Sequence, residues 1–305
     1  MSARAVVVGE ALVDVVRAAD GRTTEHAGGS PMNVAYGLGR LGHDVSLLTR
    51  MGDDEHGRLL REHLAAAGVA LLPGAVDAGR TAVARAEIDA EGKATYDFDL
   101  EWSVPDVALP DGLDVLHTGS IGAAVAPGAD AALTLLSAAR GRTTTSYDPN
   151  VRPAFFDSPT QALARVLEFV AVADVVKASD EDIAWLLPGA DVTEVARDWQ
   201  SRGPALVVVT RGGAGAVAVG ASGSLAVAAP RIEVVDTVGA GDAFMSGLLH
   251  ALAVHDLLGR DALPALRRLD LGTLEALVAT AVRSASITVQ RAGANPPDRR
   301  ELDAA

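Results

Sequence analysis

Short β-branched apolar runs alternate with helix-like stretches along most of the chain, and that alternation is what a parallel sheet with crossover helices requires. The runs fall at residues 5–9, 45–48, 115–116, 175–176 and 206–209, and the helix-like stretches near 31–41, 55–67, 127–139, 160–170 and 192–201. The pattern predicts an α/β fold: a central, mostly parallel sheet with helices on both faces. One region breaks the rhythm. Residues 81–88, a turn at Asp89-Ala90-Glu91-Gly92 and an alternating stretch at 94–100 read as a hairpin, and a shorter hairpin fits 12–17 with 23–27. No repeat, low-complexity block or long linker divides the 305 residues, 49% of them hydrophobic, so a single domain over 1–305 is expected, with the hairpin strands inserted near 12–27 and 80–101.

Composition removes several function classes. There is no cysteine, which excludes disulfides and thiolate metal sites. A formal net charge of −14 opposes binding to a nucleic-acid backbone, itself an anion. No apolar run approaches the roughly 20 residues of a membrane span, and the amino terminus is strand-like rather than a signal peptide, so a cytoplasmic protein without membrane partners is expected.

The chemistry concentrates at Asp236-Thr237-Val238-Gly239-Ala240-Gly241-Asp242-Ala243-Phe244, which leads into an apolar stretch. If that stretch is a helix, its first turn presents unpaired N–H groups to an anion such as a transferring phosphoryl group. Asp242 beside it would repel phosphate as a ligand but suits a base taking a proton from an attacking hydroxyl. The residues alone also allow an acidic cap on a tight turn. A second segment, Gly28-Gly29-Ser30-Pro31-Met32-Asn33, combines paired glycines, a proline at a helix start and an amide one turn in. Two other signals are discounted. Gly37-Leu38-Gly39-Arg40-Leu41-Gly42 satisfies G-x-G-x-x-G but lies at the end of a predicted helix, and no G-x-x-x-x-G-K-[ST] occurs.

Together the two segments resemble the signatures of the ribokinase-like (PfkB) carbohydrate kinases, over nearly the whole chain. The resemblance implies a ribokinase-like sugar kinase using ATP and Mg²⁺, with Asp242 as base and Gly239, Ala240 and Gly241 cradling the transferring group. It implies sugar contacts from Asp14, Gly28, Gly29 and Asn33, with the hairpin strands forming a small β-sheet lid that could also pair two copies into a homodimer.

Three further segments match the family. Asp148-Pro149-Asn150-Val151-Arg152 follows a strand-like run and resembles a fructokinase segment in which Asp148 serves metal-bound water and Arg152 offsets negative charge, on the nucleotide or on the substrate. Lys177-Ala178-Ser179-Asp180-Glu181-Asp182 resembles a nucleotide and magnesium segment, with Asp182 or Glu181 in the metal role; an acidic helix start capped by Ser179 fits the residues equally. Thr210-Arg211-Gly212-Gly213-Ala214-Gly215 resembles the nucleotide loop through Thr210, Gly212 and Gly215, and also reads as a hairpin turn. Asp236 with residues 291–295 resembles a monovalent-cation site, for K⁺, or else the latter is a helix cap. These motifs are closest to fructokinases. The 2-keto-3-deoxygluconate kinases share several, ribokinases and nucleoside kinases fewer; the non-enzyme alternative is a catalytically silent sugar sensor, against which the presence of Asp242 argues.

Overall fold

The computed structural model describes residues 2–17, 21–88 and 94–304. Fifteen strands are found among them: β1 (Arg4–Val8), β2 (Leu12–Arg17), β3 (Thr23–Gly28), β4 (Asp44–Leu48), β5 (Met51–Gly52), β6 (Ala70–Leu71), β7 (Val76–Asp77), β8 (Ala82–Ile88), β9 (Ala94–Asp99), β10 (Val115–Gly119), β11 (Thr144–Asp148), β12 (Val175–Ser179), β13 (Leu206–Thr210), β14 (Ala216–Gly220) and β15 (Gly223–Val227). Nine of them form the central sheet in the order β15-β14-β13-β12-β11-β10-β1-β4-β6. All neighbours in it are parallel except β13-β14 and β14-β15.

Alternate residues of β1 divide between two cores. Ala5 and Val7 pack with the helices Ser30–Arg40, Ala240–Val254 and Leu271–Thr288 on one face, while Val6 and Val8 pack with Gly128–Ala139, Pro159–Val172 and Val192–Ser201 on the other. Burial on both faces explains why this strand is continuously apolar from Ala5 to Val8 rather than alternating. The chain steps from β1 outward to β4 on one side and to β10 on the other, so the sheet has a topological switch beside β1, where open α/β sheets bind ligands at the strands' carboxyl ends.

The segments that broke the rhythm form a separate four-stranded sheet, β3-β2-β8-β9, as the hairpin pattern predicts. β2 pairs in parallel with β8, which joins the two hairpins in one small sheet as the resemblance implies, and β5 pairs with β7 in a two-residue ladder too short to leave a pattern in sequence. The expected turn at 89–92 lies outside the described residues. Among those described, no helix is long and apolar enough to cross a membrane.

Candidate active site

Two helix N-termini meet at the carboxyl end of the sheet. Ser30–Arg40 begins after Gly29, at φ 105°, with Pro31 in its first turn. Ala240–Val254 begins after Gly239, left-handed at φ 73°, a conformation that costs glycine nothing. The Ser30 hydroxyl donates to Asp242 Oδ1 at 2.6 Å and Asn33 Nδ2 donates to Oδ2 at 2.8 Å, holding a carboxylate that is only 7% exposed. Asn33, expected to face the sugar, is therefore first a partner of Asp242, and its amide oxygen and second N–H are what remain for a hydroxyl. Ser30 was missed as a site residue, although it stands within the segment that pointed here.

The first turn of Ala240–Val254 has N–H groups with no acceptor further back in the helix. Ala240 departs from the expected cradle, because its N–H turns to the Thr237 carbonyl at 3.2 Å. At Gly241 the need for glycine is steric: a Cβ there would stand 2.9 Å from Lys177 Nζ. The ammonium is thus lodged against the anion turn. It also contacts Asp148 Oδ2 at 2.8 Å, with both side chains almost wholly buried. Burial pulls the Lys177 pKa down, but Asp148, Asp182 and Asp242 outweigh it and hold the ammonium above its usual value. Burial pushes Asp148 up to about 6 against the pull of Lys177, so at neutral pH the pair is ionised. Asp148 Oδ1 is buried with no hydrogen-bond partner, an orphan that suits a magnesium-bound water.

On the side of β1 lie Asp14, Gly28, Glu10 and Arg152. Any side chain at Gly28 would collide with the Asp14 carboxylate, which explains the glycine. Burial raises the Asp14 pKa, opposed by the charges of His26 and Arg152. Arg152 is exposed, donates to Asn150 and to the Val151 carbonyl, and acts electrostatically on both Asp14 and Glu10. Glu10 was also missed as a site residue. It is buried, and loss of water raises its pKa to about 7.

On the side of β12 and β13, Ser179 and Thr210 are register partners, which gathers Lys177, Ser179, Thr210, Gly212 and Gly215 at adjacent strand ends. The 210–215 segment is a tight hairpin turn closed by Arg211 N–H to the Gly215 carbonyl at 2.7 Å. The hairpin-turn reading of that loop is borne out.

The expected metal residues stand in different settings: Asp148 beside Lys177, Asp182 and Glu181 on the helix Asp180–Leu186, and Asp236 at the 291–295 loop. Among the described residues no three His or carboxylate groups are grouped to hold a cation. Asp182 forms a capping box with Ser179, and its two oxygens accept the N–H groups of Val151 at 2.7 Å and Ser179 at 2.8 Å. Glu181 is exposed on that short helix. Asp236 accepts from Val238 and Gly293 N–H groups at 3.0 and 2.8 Å, which lower its pKa, so it does join the 291–295 loop. Gly293 is not a helix cap: the preceding helix ends at Thr288, with Val289 as its C-cap.

A base-like carboxylate at a helix N-terminus, a buried ammonium against the same turn and polar groups at the strand ends define a phosphotransferase class of site. The pfkB family carbohydrate kinase pattern matches residues 2–300, and the chain belongs to that family. It is a sugar kinase of ribokinase-like fold. A fructokinase of Rhizobium leguminosarum bv. trifolii is 34% identical over 263 residues, covering 82% of this chain and 80% of that one. The fructokinase of Xylella fastidiosa, solved with bound ATP, superposes with a TM-score of 0.84 at 24% identity, covering 100% of this chain and 98% of that one. A double mutant of the Vibrio cholerae O395 fructokinase, solved with fructose, ADP and a potassium ion, superposes with a TM-score of 0.78 at 26% identity, covering 99% and 97%.

Proposed function

We propose that this sugar kinase transfers the γ-phosphoryl group of ATP to a hydroxyl of fructose. The observation that carries the chemistry is Asp242, fixed by Ser30 and Asn33 at the start of a helix whose first turn abuts the Lys177 ammonium. Each Asp242 oxygen keeps a lone pair beyond the bond it already accepts, so the carboxylate can take the proton of a sugar hydroxyl as that oxygen attacks phosphorus. Gly239 and Gly241 N–H groups, with the Lys177 ammonium, offset the charge on the transferring group. Asp148, through its unpartnered Oδ1, would hold magnesium by way of water. When bound, magnesium neutralises charge across the β- and γ-phosphates. Asp14, Gly28, Gly29 and the amide oxygen of Asn33 hold the sugar, the sheet β3-β2-β8-β9 closes over it and excludes water, and Thr210, Gly212 and Gly215 border the nucleotide. A potassium ion beside Asp236 and the 291–295 loop would sit next to the same turn.

Fructose is favoured by the identity with fructokinases over four-fifths of the chain. Arg152 favours a second reading. Its guanidinium is exposed, and its hydrogen bonds go to an amide and two carbonyls rather than to a carboxylate. An acidic sugar such as 2-keto-3-deoxygluconate would supply the missing anion. A coupled ADP-release assay over a sugar panel separates the two: fructose should release ADP fastest, and a panel in which the acidic sugar wins replaces the first reading by the second.

A further inference from the structure

The small sheet joins the body through four segments, and two of them converge on a single residue. β2 leaves the body just after Glu10 and Ala11, and β9 returns to it through Leu100, Glu101 and Trp102. Glu10 Oε2 accepts the Gly122 N–H at 2.7 Å, while the Trp102 indole Nε1–H donates to the Gly122 carbonyl at 3.0 Å. Both contacts are buried, with Glu10 2% and Trp102 3% exposed. Gly122 lies so close that a Cβ would stand 2.7 Å from the Gly9 Cα.

The carboxylate does work that the short helix Ile121–Ala124 leaves undone, since its own N-cap Ser120 makes no side-chain cap bond. Glu10 also bonds the Ser120 side chain, and the Ser120 N–H donates to the Asp148 carbonyl at 3.0 Å. The Glu10 carbonyl oxygen stands 2.6 Å from where a Cβ on Gly29 would be, so the same segment forms the floor beneath the paired glycines. Phosphoryl transfer as proposed uses Asp242 and leaves Glu10 without a part. A carboxylate this buried loses its hydration, a cost that an amide at the same place would largely avoid.

We propose that Glu10, Gly122 and Trp102 form a clasp that fixes the small sheet over the sugar, which makes Glu10 a positioning residue for sugar binding. The inference rests on the reading of that sheet as a lid. Removing either bond frees a strand connection and leaves a buried Gly122 group unsatisfied. The effect falls on the sugar because β2 carries Asp14 and the segment that leads into it lies against the glycine pair, whereas the nucleotide loop belongs to β13.

The test measures hydrogen exchange of β2 and β8 with and without saturating fructose, together with the KM values for fructose and ATP, in wild type, Glu10→Ala, Glu10→Gln and Trp102→Phe. Wild type should gain protection on adding fructose. Glu10→Ala and Trp102→Phe should lose most of that gain and raise the fructose KM about tenfold, with the ATP KM and kcat within about twofold of wild type. Glu10→Gln keeps an acceptor for the Gly122 N–H and should stay near wild type. If Glu10→Ala fails to fold, Trp102→Phe decides alone, since it removes one donor and keeps the ring. Full protection and an unchanged fructose KM in Trp102→Phe, or an equal rise in both KM values, would overturn the clasp alone. No gain of protection in wild type would overturn the lid and the clasp together.

Discussion

The carboxylate of Asp242 and the amide of Asn33 meet at 2.8 Å across 209 residues of sequence, each at the start of its own helix. The contact joins the two segments that carry the family resemblance, and it gives Asp242 a fixed direction. Asp242→Asn keeps the shape but removes the proton acceptor, so kcat should fall by about 100- to 10,000-fold while ATP still binds. Rapid-quench kinetics with parallel titration of ATP checks both halves. Turnover near that of wild type would remove Asp242 from the role of base.

Lys177 is one of only two lysines among 26 basic residues, so this chain uses arginine almost everywhere else. The buried position takes the compact ammonium, which stands between Asp148 and Gly241. Lys177→Met would leave Asp148 as an uncompensated buried charge and should cost about 3–5 kcal/mol of stability. Gly241→Ala pushes on the flexible end of Lys177 rather than on backbone, so it should fold normally and still lose phosphoryl transfer. Urea midpoints and kcat, measured side by side, separate the two: a Gly241→Ala protein with full kcat would show that the ammonium does not act on the transferring group.

What was legible in the sequence follows the range of each interaction. The hairpin strands β8 and β9 were visible because alternation is local, and so was the Ser179 cap, whose partner Asp182 is three residues away. The G-x-G-x-x-G at 37–42 was rightly set aside: Gly37 and Gly39 serve packing within and beyond their helix, and Gly42 follows its end at φ 85°. Long-range pairings left no such trace. Lys177 meets Asp148 only because β11 and β12 lie side by side in parallel register, and Glu10 reaches Gly122 across 112 residues. At 180–182 the cap reading was legible as well: the capping box at Ser179 forms, while the Val151 N–H that reaches the other Asp182 oxygen comes from a segment 31 residues away and left no local trace.

A buried imidazole pair makes stability depend on pH away from the site. His43 Nδ1 accepts the Ala3 N–H at 3.0 Å, so its Nε2 carries the proton and donates to His250 Nδ1 at 2.9 Å. Burial, aided by the His250 charge, lowers the His43 pKa from 6.5 to about 4. The unfolded chain then binds a proton that the folded one refuses, so stability present above pH 6.5 declines as pH falls toward 4, by on the order of 3 kcal/mol for this group. His43→Asn should flatten that slope. Urea midpoints at pH 7.5 and 4.5 check it, and equal declines in wild type and variant would assign the slope to carboxylates.

The sugar side should be separable from the nucleotide side through Asp14 and Gly28, diagonal neighbours on the paired strands β2 and β3, where a Cβ on Gly28 would meet the Asp14 carboxylate. Gly28→Ala forces the Asp14 carboxylate aside without adding or removing charge, and Asp14→Ala removes it. If that carboxylate accepts sugar hydroxyls, both variants should raise the fructose KM by about 10- to 100-fold, the worth of one or two charged hydrogen bonds, and leave the ATP KM within about twofold. Asp14→Asn discriminates further, because an amide still accepts one hydroxyl proton through its oxygen and should lie between wild type and alanine. Steady-state kinetics with each substrate varied at saturating partner gives both KM values for each variant. A fructose KM that stays put in Gly28→Ala while rising in Asp14→Ala would mean that the carboxylate tolerates displacement, and the sugar would then be held mainly by the amide of Asn33 and the glycine backbone.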